Sequence, residues 1–158
     1  MTEQPRTTEG QPTRPLPVPD AVSAGYWEAA AGGVLTAARC GRCAAYAIPP
    51  GQVCPSCGST DPDYGFEPVS GRGAVRSWTV VRQAFLPGFS ADVPFVLVDV
   101  ELAEQPELRM IGRLLDGPAA PGLRLGAQVT AAFEDVAPGV AVPAFQLADA
   151  SGRSGEAS

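Results

Sequence analysis

Apolar and polar positions along most of this chain follow the period of short β-strands. The segment PFVLVDVEL alternates strictly. It sets Val96, Val98, Val100 and Leu102 on one face and Phe95, Leu97, Asp99 and Glu101 on the other. The first set is wholly apolar and is the natural core face. Further runs rich in β-branched or aromatic residues recur: YGFEPV, GAVRSWTVVR, LRMIGRLL, AQVTAAFEDV and VPAFQLA, each bounded by Gly, Pro or Asp. No amphipathic helix interrupts them. Five or six short strands in about 85 residues predict a small closed barrel over residues 63–148.

The period changes ahead of the strands. DAVSAGYWEAAAGG predicts a short N-terminal helix within 20–34. Asp20 or Ser23 can cap it, the alanines favour it, and Gly32-Gly33 stops it. Tyr26 and Trp27 either anchor this helix to the body or dock it on a partner. Residues 1–19 and 149–158 carry almost no large apolar side chains and are predicted to be disordered tails, the first of them Pro-rich. The chain therefore reads as mainly β: a short helix, a cysteine module over 35–62, and a barrel.

All four cysteines fall in RCGRCAAYAIPPGQVCPSCGS, as two Cys-x-x-Cys pairs with ten residues between them. A Cys-x-x-Cys turn offers two sulfurs to one ion, and two facing turns complete a tetrahedral four-sulfur site. Cys40, Cys43, Cys54 and Cys57 are thus the candidate metal ligands, with Gly41 and Gly58 where the chain bends around the metal. A module this small has no core of its own. A structural zinc supplies roughly 10–16 kcal/mol of apparent binding energy, against about 2–4 kcal/mol for one disulfide. The weighing favours one structural Zn²⁺ per chain over a rubredoxin-type iron or a redox pair. Four sulfurs close the tetrahedron and leave no position for water or substrate. Four thiolates around Zn²⁺ leave two negative charges. Arg39 and Arg42 are the other ionised side chains between Thr36 and Thr60 and are expected to balance them.

Composition narrows the function. There is no histidine, so the commonest acid–base residue is missing, and no catalytic role is expected. All eleven cations are arginine, and the net charge is −6. This opposes a free-standing nucleic-acid binder, which needs cations to displace counterions from phosphates. Neither a secretory signal pattern nor a 20-residue apolar span is present, so a soluble, cytoplasmic protein without membrane contact is expected. Reducing conditions there favour metal ligation over disulfides.

The order YWE, RCGRC, IPPGQVCPSCGS, FEPVSGRGAVRSWTVV, PFVLVDVEL, RMIGRLL, LGAQVTAAFED and VPAFQLA resembles the DUF35 family, from about Asp20 to Ala148. The resemblance implies a rubredoxin-like zinc ribbon joined to an OB-fold barrel, with the four cysteines as zinc ligands. It implies an accessory subunit that assembles with a thiolase-like enzyme, an acyl-CoA aldolase or a hydratase in lipid, steroid or polyketide metabolism, with CoA as a candidate contact. The alternative is an OB-fold module that binds single-stranded nucleic acid.

Candidate contact residues follow. GAVRSWTVVR puts Arg76, Trp78, Val80 and Arg82 on one strand face, suited to stacking a base and pairing phosphate. Val75, Ser77, Thr79 and Val81 make an equally plausible inner face, so alternation leaves the matter open. The linker QAFLPGFSADVP exposes Phe85, Leu86 and Phe89 unless something covers them, and an apolar loop of this kind marks an interface or folds back on its own barrel. Tyr26, Trp27, Arg76, Trp78, Arg82, Phe85 and Phe89 are the candidate partner or CoA contacts.

Overall fold

A computed structural model describes residues 14–148 of this chain. It carries α1 (Ala24–Ala31) and eight strands: β1 (Thr36–Cys40), β2 (Tyr46–Ala47), β3 (Tyr64–Pro68), β4 (Arg72–Val81), β5 (Phe95–Leu102), β6 (Arg109–Leu114), β7 (Gln128–Ala137) and β8 (Val140–Leu147). Ser23 occupies the N-cap position of α1, but its side chain makes no capping bond. Asp20 organises this end instead. Its Oδ1 accepts from the amides of Val22 (3.1 Å) and Ser23 (2.8 Å) and from the Ser23 hydroxyl (2.6 Å). The Ser23 hydroxyl bond, followed by the backbone bonds, holds the Asp20 carboxyl below its usual value. At the other end Gly33 takes the left-handed region (φ 75°), which a glycine adopts without Cβ strain. This lets the Val34 amide bond back to the Ala29 carbonyl at 2.9 Å.

β1 is buried almost throughout, with Ala37 and Ala38 fully inside. A buried strand needs partners on both edges for its backbone groups, and β2 supplies only two residues. β3 fills the other edge, pairing antiparallel from Thr36↔Pro68 to Cys40↔Tyr64. YGFEPV therefore belongs to the three-stranded sheet β2-β1-β3 rather than to the barrel. The sequence reading counts this strand with the barrel, because a strand's own alternation does not say which neighbour it joins.

The other five strands close into a barrel in the order β4-β5-β6-β8-β7, with β6 and β8 parallel through Leu114↔Phe145. This matches the expected OB-fold and mainly-β class. The β5 face foreseen from the sequence is the core face: Val96, Val98, Val100 and Leu102 are all buried, together with Phe145, Leu114 and Val129. The ribbon is held to the barrel by Gln105, in the β5–β6 turn. Its Oε1 accepts from the Tyr46 amide (2.8 Å) and its Nε2 donates to the Tyr46 carbonyl (3.1 Å). A single side chain thus imitates a strand partner for β2.

Of the expected N-terminal tail, residues 1–13 lie outside the described residues, as does 149–158. Residues 14–19 are placed. Arg14 lies over the Phe89 ring (4.8 Å), donates to the Gly88 carbonyl (3.4 Å) and pairs with Asp92 and Glu134. One cation with four partners does what the apolar-poor segment around it does not. Among the described residues no helix is long and apolar enough to cross a membrane.

Phe145 is the largest fully buried side chain. It sits where β6 meets β8, and a Cβ added at Gly112 would come within 2.9 Å of its ring. Phe145→Ala is expected to lower stability by about 3–5 kcal/mol, read as a fall in the denaturant midpoint of urea unfolding.

Candidate metal centre and contact surfaces

The two cysteine turns share one backbone scheme. In the first, the Cys40 amide donates to the Ala45 carbonyl and the Ala44 amide donates back to the Cys40 carbonyl, at 2.9 and 2.8 Å. In the second, the Cys54 amide donates to the Ser59 carbonyl and the Gly58 amide to the Cys54 carbonyl, both at 2.9 Å. The residue four beyond each leading cysteine has positive φ: Ala44 at 62° and Gly58 at 72°. The bend expected at Gly41 falls at Ala44. Gly41 is needed for a different reason, since a Cβ there would lie 2.9 Å from the Asp63 carbonyl oxygen.

The four sulfurs lie within 4.8 Å of one another, with Cys40 and Cys54 buried and Cys43 and Cys57 exposed. Cys43 and Cys54 stand 3.7 Å apart. Sulfurs about 2.3 Å from a tetrahedral ion would be separated by roughly 3.8 Å, so the donor set fits one such ion. The Arg42 amide donates to Cys40 Sγ at 3.4 Å. The amides of Cys57 and Ser56 pull the Cys54 thiol down to about 6. At Cys43 the Ala45 amide acts in the same direction, but burial and the three neighbouring sulfurs together push the thiol up to about 12. Four adjacent sulfurs resist simultaneous ionisation, and a divalent cation at their centre removes that resistance.

The arginines expected to balance the cluster face elsewhere. Arg39 reaches Glu67 at 2.9 Å and lies over the Tyr46 ring, and Arg42 reaches the carbonyl and carboxylate of Asp61. Backbone amides, not guanidinium groups, supply the polarity around the sulfurs. Tyr64 was not anticipated. It pairs with Cys40 across β1 and β3, and its buried hydroxyl has no hydrogen-bond partner. Burial first, then the neighbouring Cys54, raises it to about 12. Such a hydroxyl can donate to a thiolate, but nothing in the sequence spacing points to it.

The candidate contact residues do not form one site. Tyr26 and Trp27 pack edge to face (5.0 Å between centroids), and Tyr26 leans on Phe66 of β3 (6.3 Å). They line a cleft of about 370 Å³ between α1 and the ribbon. On β4 a bulge between Val75 and Ser77 breaks the alternation. Val75 points inward before it. Trp78 and Val80 do so after it, opposite Val98 and Val96. Neither face read from the sequence survives, because the bulge shifts the phase by one residue. Arg76 sits at the bulge and pairs with Glu101 (3.1 Å), and Arg82 is exposed beyond the strand end. β4 pairs with β7 only over Arg72–Ala74. Past the bulge no strand among the described residues pairs with that edge, and Trp78 remains 40% exposed. In the following loop Phe85 and Leu86 are 90% and 62% exposed. Phe89 folds back against Phe95 (6.2 Å) and beneath Arg14.

Comparison with known proteins adds to this geometry. Residues 27–63 match the family model described as the rubredoxin-like zinc ribbon domain of ChsH2, and residues 66–134 match its C-terminal OB-fold domain. A probable enoyl-CoA hydratase alpha subunit of Thermomonospora curvata is 34% identical over 143 residues, which are 89% of this chain and 43% of that protein. The chain thus spans less than half the length of this curated relative. A solved structure described as the Ltp2-ChsH2(DUF35) aldolase is 30% identical with a TM-score of 0.69. The match covers 83% of this chain and 98% of that one.

Cys54→Ser is expected to weaken Zn²⁺ binding more than about 100-fold, since losing a buried ligand exceeds the usual effect of losing a residue that supports one. Arg42→Ala is expected to change it less than about tenfold, because its pair with Asp61 is solvent-exposed. Competition with a chromophoric chelator measures both.

Proposed function

Because the chain belongs to the DUF35 family, joining a zinc ribbon to an OB-fold, we propose that it is an accessory subunit of an acyl-CoA enzyme and contributes no catalytic group of its own. The observation that carries this is the match to the DUF35 chain type of an aldolase, over 98% of that chain at 30% identity. The hydratase relative supports it differently. There the matching region is under half of a longer polypeptide. The partner we propose is a hydratase, an aldolase or a thiolase-like enzyme. Cys40, Cys43, Cys54 and Cys57 hold one structural Zn²⁺. Four sulfur donors leave the ion no open position for substrate, and the absence of histidine removes the usual proton carrier.

The partner docks on the barrel side that carries Trp78, Phe85 and Leu86. Exposed aromatic anchors of this kind dominate the energetics of interfaces. Arg82, exposed beside them, is the candidate for a CoA phosphate. The alternative, single-stranded nucleic-acid binding, has little support at the same face. Arg76, Arg109 and Arg113 are occupied by Glu101, Asp99, and Asp92 with Glu134, and the net charge is −6.

Affinity purification of the tagged protein from its native host is expected to recover an acyl-CoA hydratase, aldolase or thiolase in stoichiometric amount. Phe85→Asp is expected to weaken that complex at least about tenfold while metal analysis still finds one zinc per chain. Emergence of the protein alone, or a nucleic-acid titration that saturates at micromolar concentration and weakens with salt, would overturn the reading.

A further inference from the structure

The cleft between α1 and the ribbon carries an inference that does not depend on the partner. We propose that it binds a small uncharged, largely apolar molecule bearing one hydrogen-bonding oxygen, with Thr36 as the polar anchor. Its volume of about 370 Å³ lies at the lower end of the range for small-molecule sites. Tyr26 and Trp27 from α1, Phe66 from β3, and Ile48 and Pro49 after β2 form its walls. The room arises from two small residues. Ala38 and Ala47 face one another across β1 and β2, and both line the cleft.

Thr36 is the second observation. It is the one buried polar residue of the described core, 4% exposed, and its Oγ1 has no hydrogen-bond partner. Burying a hydroxyl unpaired is costly, and folded proteins seldom leave one so without a reason. A hydroxyl at the wall of an apolar cleft is satisfied when a ligand brings a carbonyl or hydroxyl oxygen to it.

Charge defines the ligand further. No arginine is among the lining residues. The acid at the rim, Asp20, already has its Oδ1 engaged by the Ser23 hydroxyl and two amides. A phosphate or carboxylate entering the cleft would lose its hydration and meet no counter-charge. The cleft therefore selects a neutral group and rejects an anionic one.

The test uses full-length, zinc-loaded protein carrying Trp78→Phe, so that Trp27 is the one fluorescent tryptophan. Cyclohexanecarboxamide and cyclohexanecarboxylate are the probes: nearly the same shape, one neutral and one anionic. The amide is expected to change Trp27 emission saturably, with a dissociation constant at least about tenfold below that of the carboxylate. Thr36→Val keeps the shape and removes the hydroxyl. It is expected to weaken amide binding about tenfold while the melting temperature holds or rises. Ala47→Phe fills the cleft and is expected to abolish the response to the amide. Equal affinity for the two probes, or unchanged amide binding in Thr36→Val, overturns the proposal whether or not Ala47→Phe folds. No response to either probe also overturns it, and leaves the cleft to a side chain of a partner protein.

Discussion

Four sulfur atoms lie within 4.8 Å of one another in the N-terminal half of this protein and fit a single metal ion. The segment from β1 to β3 buries little beyond three alanines, two cysteines and Thr36. It is too small to repay the entropy of ordering its own backbone. A structural zinc held there would supply roughly 10–16 kcal/mol of apparent binding energy, more than these residues contribute through packing. The two cysteine turns are built alike, down to a positive φ four residues past each leading cysteine. A metal ion there would meet two copies of one preformed turn. β1 ends at Cys40 and is paired on both edges, so the position of the cluster also sets the position of the sheet.

The barrel is stabilised in a different way, by a conventional apolar interior around β5 and Phe145. The two parts share this apolar cluster, since Leu35 and Ala37 belong to it and Tyr46 and Ile48 pack against it, and they also meet through specific polar contacts. Gln105 takes both backbone groups of Tyr46, and Glu104 accepts from the Ser70 amide at 2.6 Å. α1 packs on β8 and β1 together, so the helix touches barrel and ribbon at once. This arrangement frees two surfaces. One is the aromatic cleft between helix and ribbon, and the other is the apolar loop after β4. The arginines near that loop are largely occupied by acidic neighbours, which leaves apolar contact as its main resource for recognition.

What could be read from the chain differs by element for physical reasons. Strand β5 was legible because nothing interrupts its alternation and both of its neighbours lie in the same barrel. Strand β4 was not, because a single bulge residue inverts the phase and leaves no mark in the sequence. The apolar character of Phe85, Leu86 and Phe89 was visible. Which of them would be covered depended on Arg14, more than seventy positions away. The charges between Thr36 and Thr60 point Arg39 and Arg42 at the sulfurs, whereas their partners Glu67 and Asp61 lie outside that stretch.

The sequence by itself determined the class of the protein: a mainly-β chain with one short helix, a four-cysteine module of fixed spacing and a small barrel. Those features rest on local rules, namely the two-residue period of a strand, the capping of a helix and the reach of a Cys-x-x-Cys turn. The tertiary structure alone decided that β3 joins the ribbon, that Trp78 turns inward without being covered, and that the Thr36 hydroxyl is left unpaired beside an aromatic cleft. Each of these is a relation between residues far apart in the chain. Pairing, coverage and hydrogen-bond satisfaction are properties of neighbours in space, and no local pattern records them.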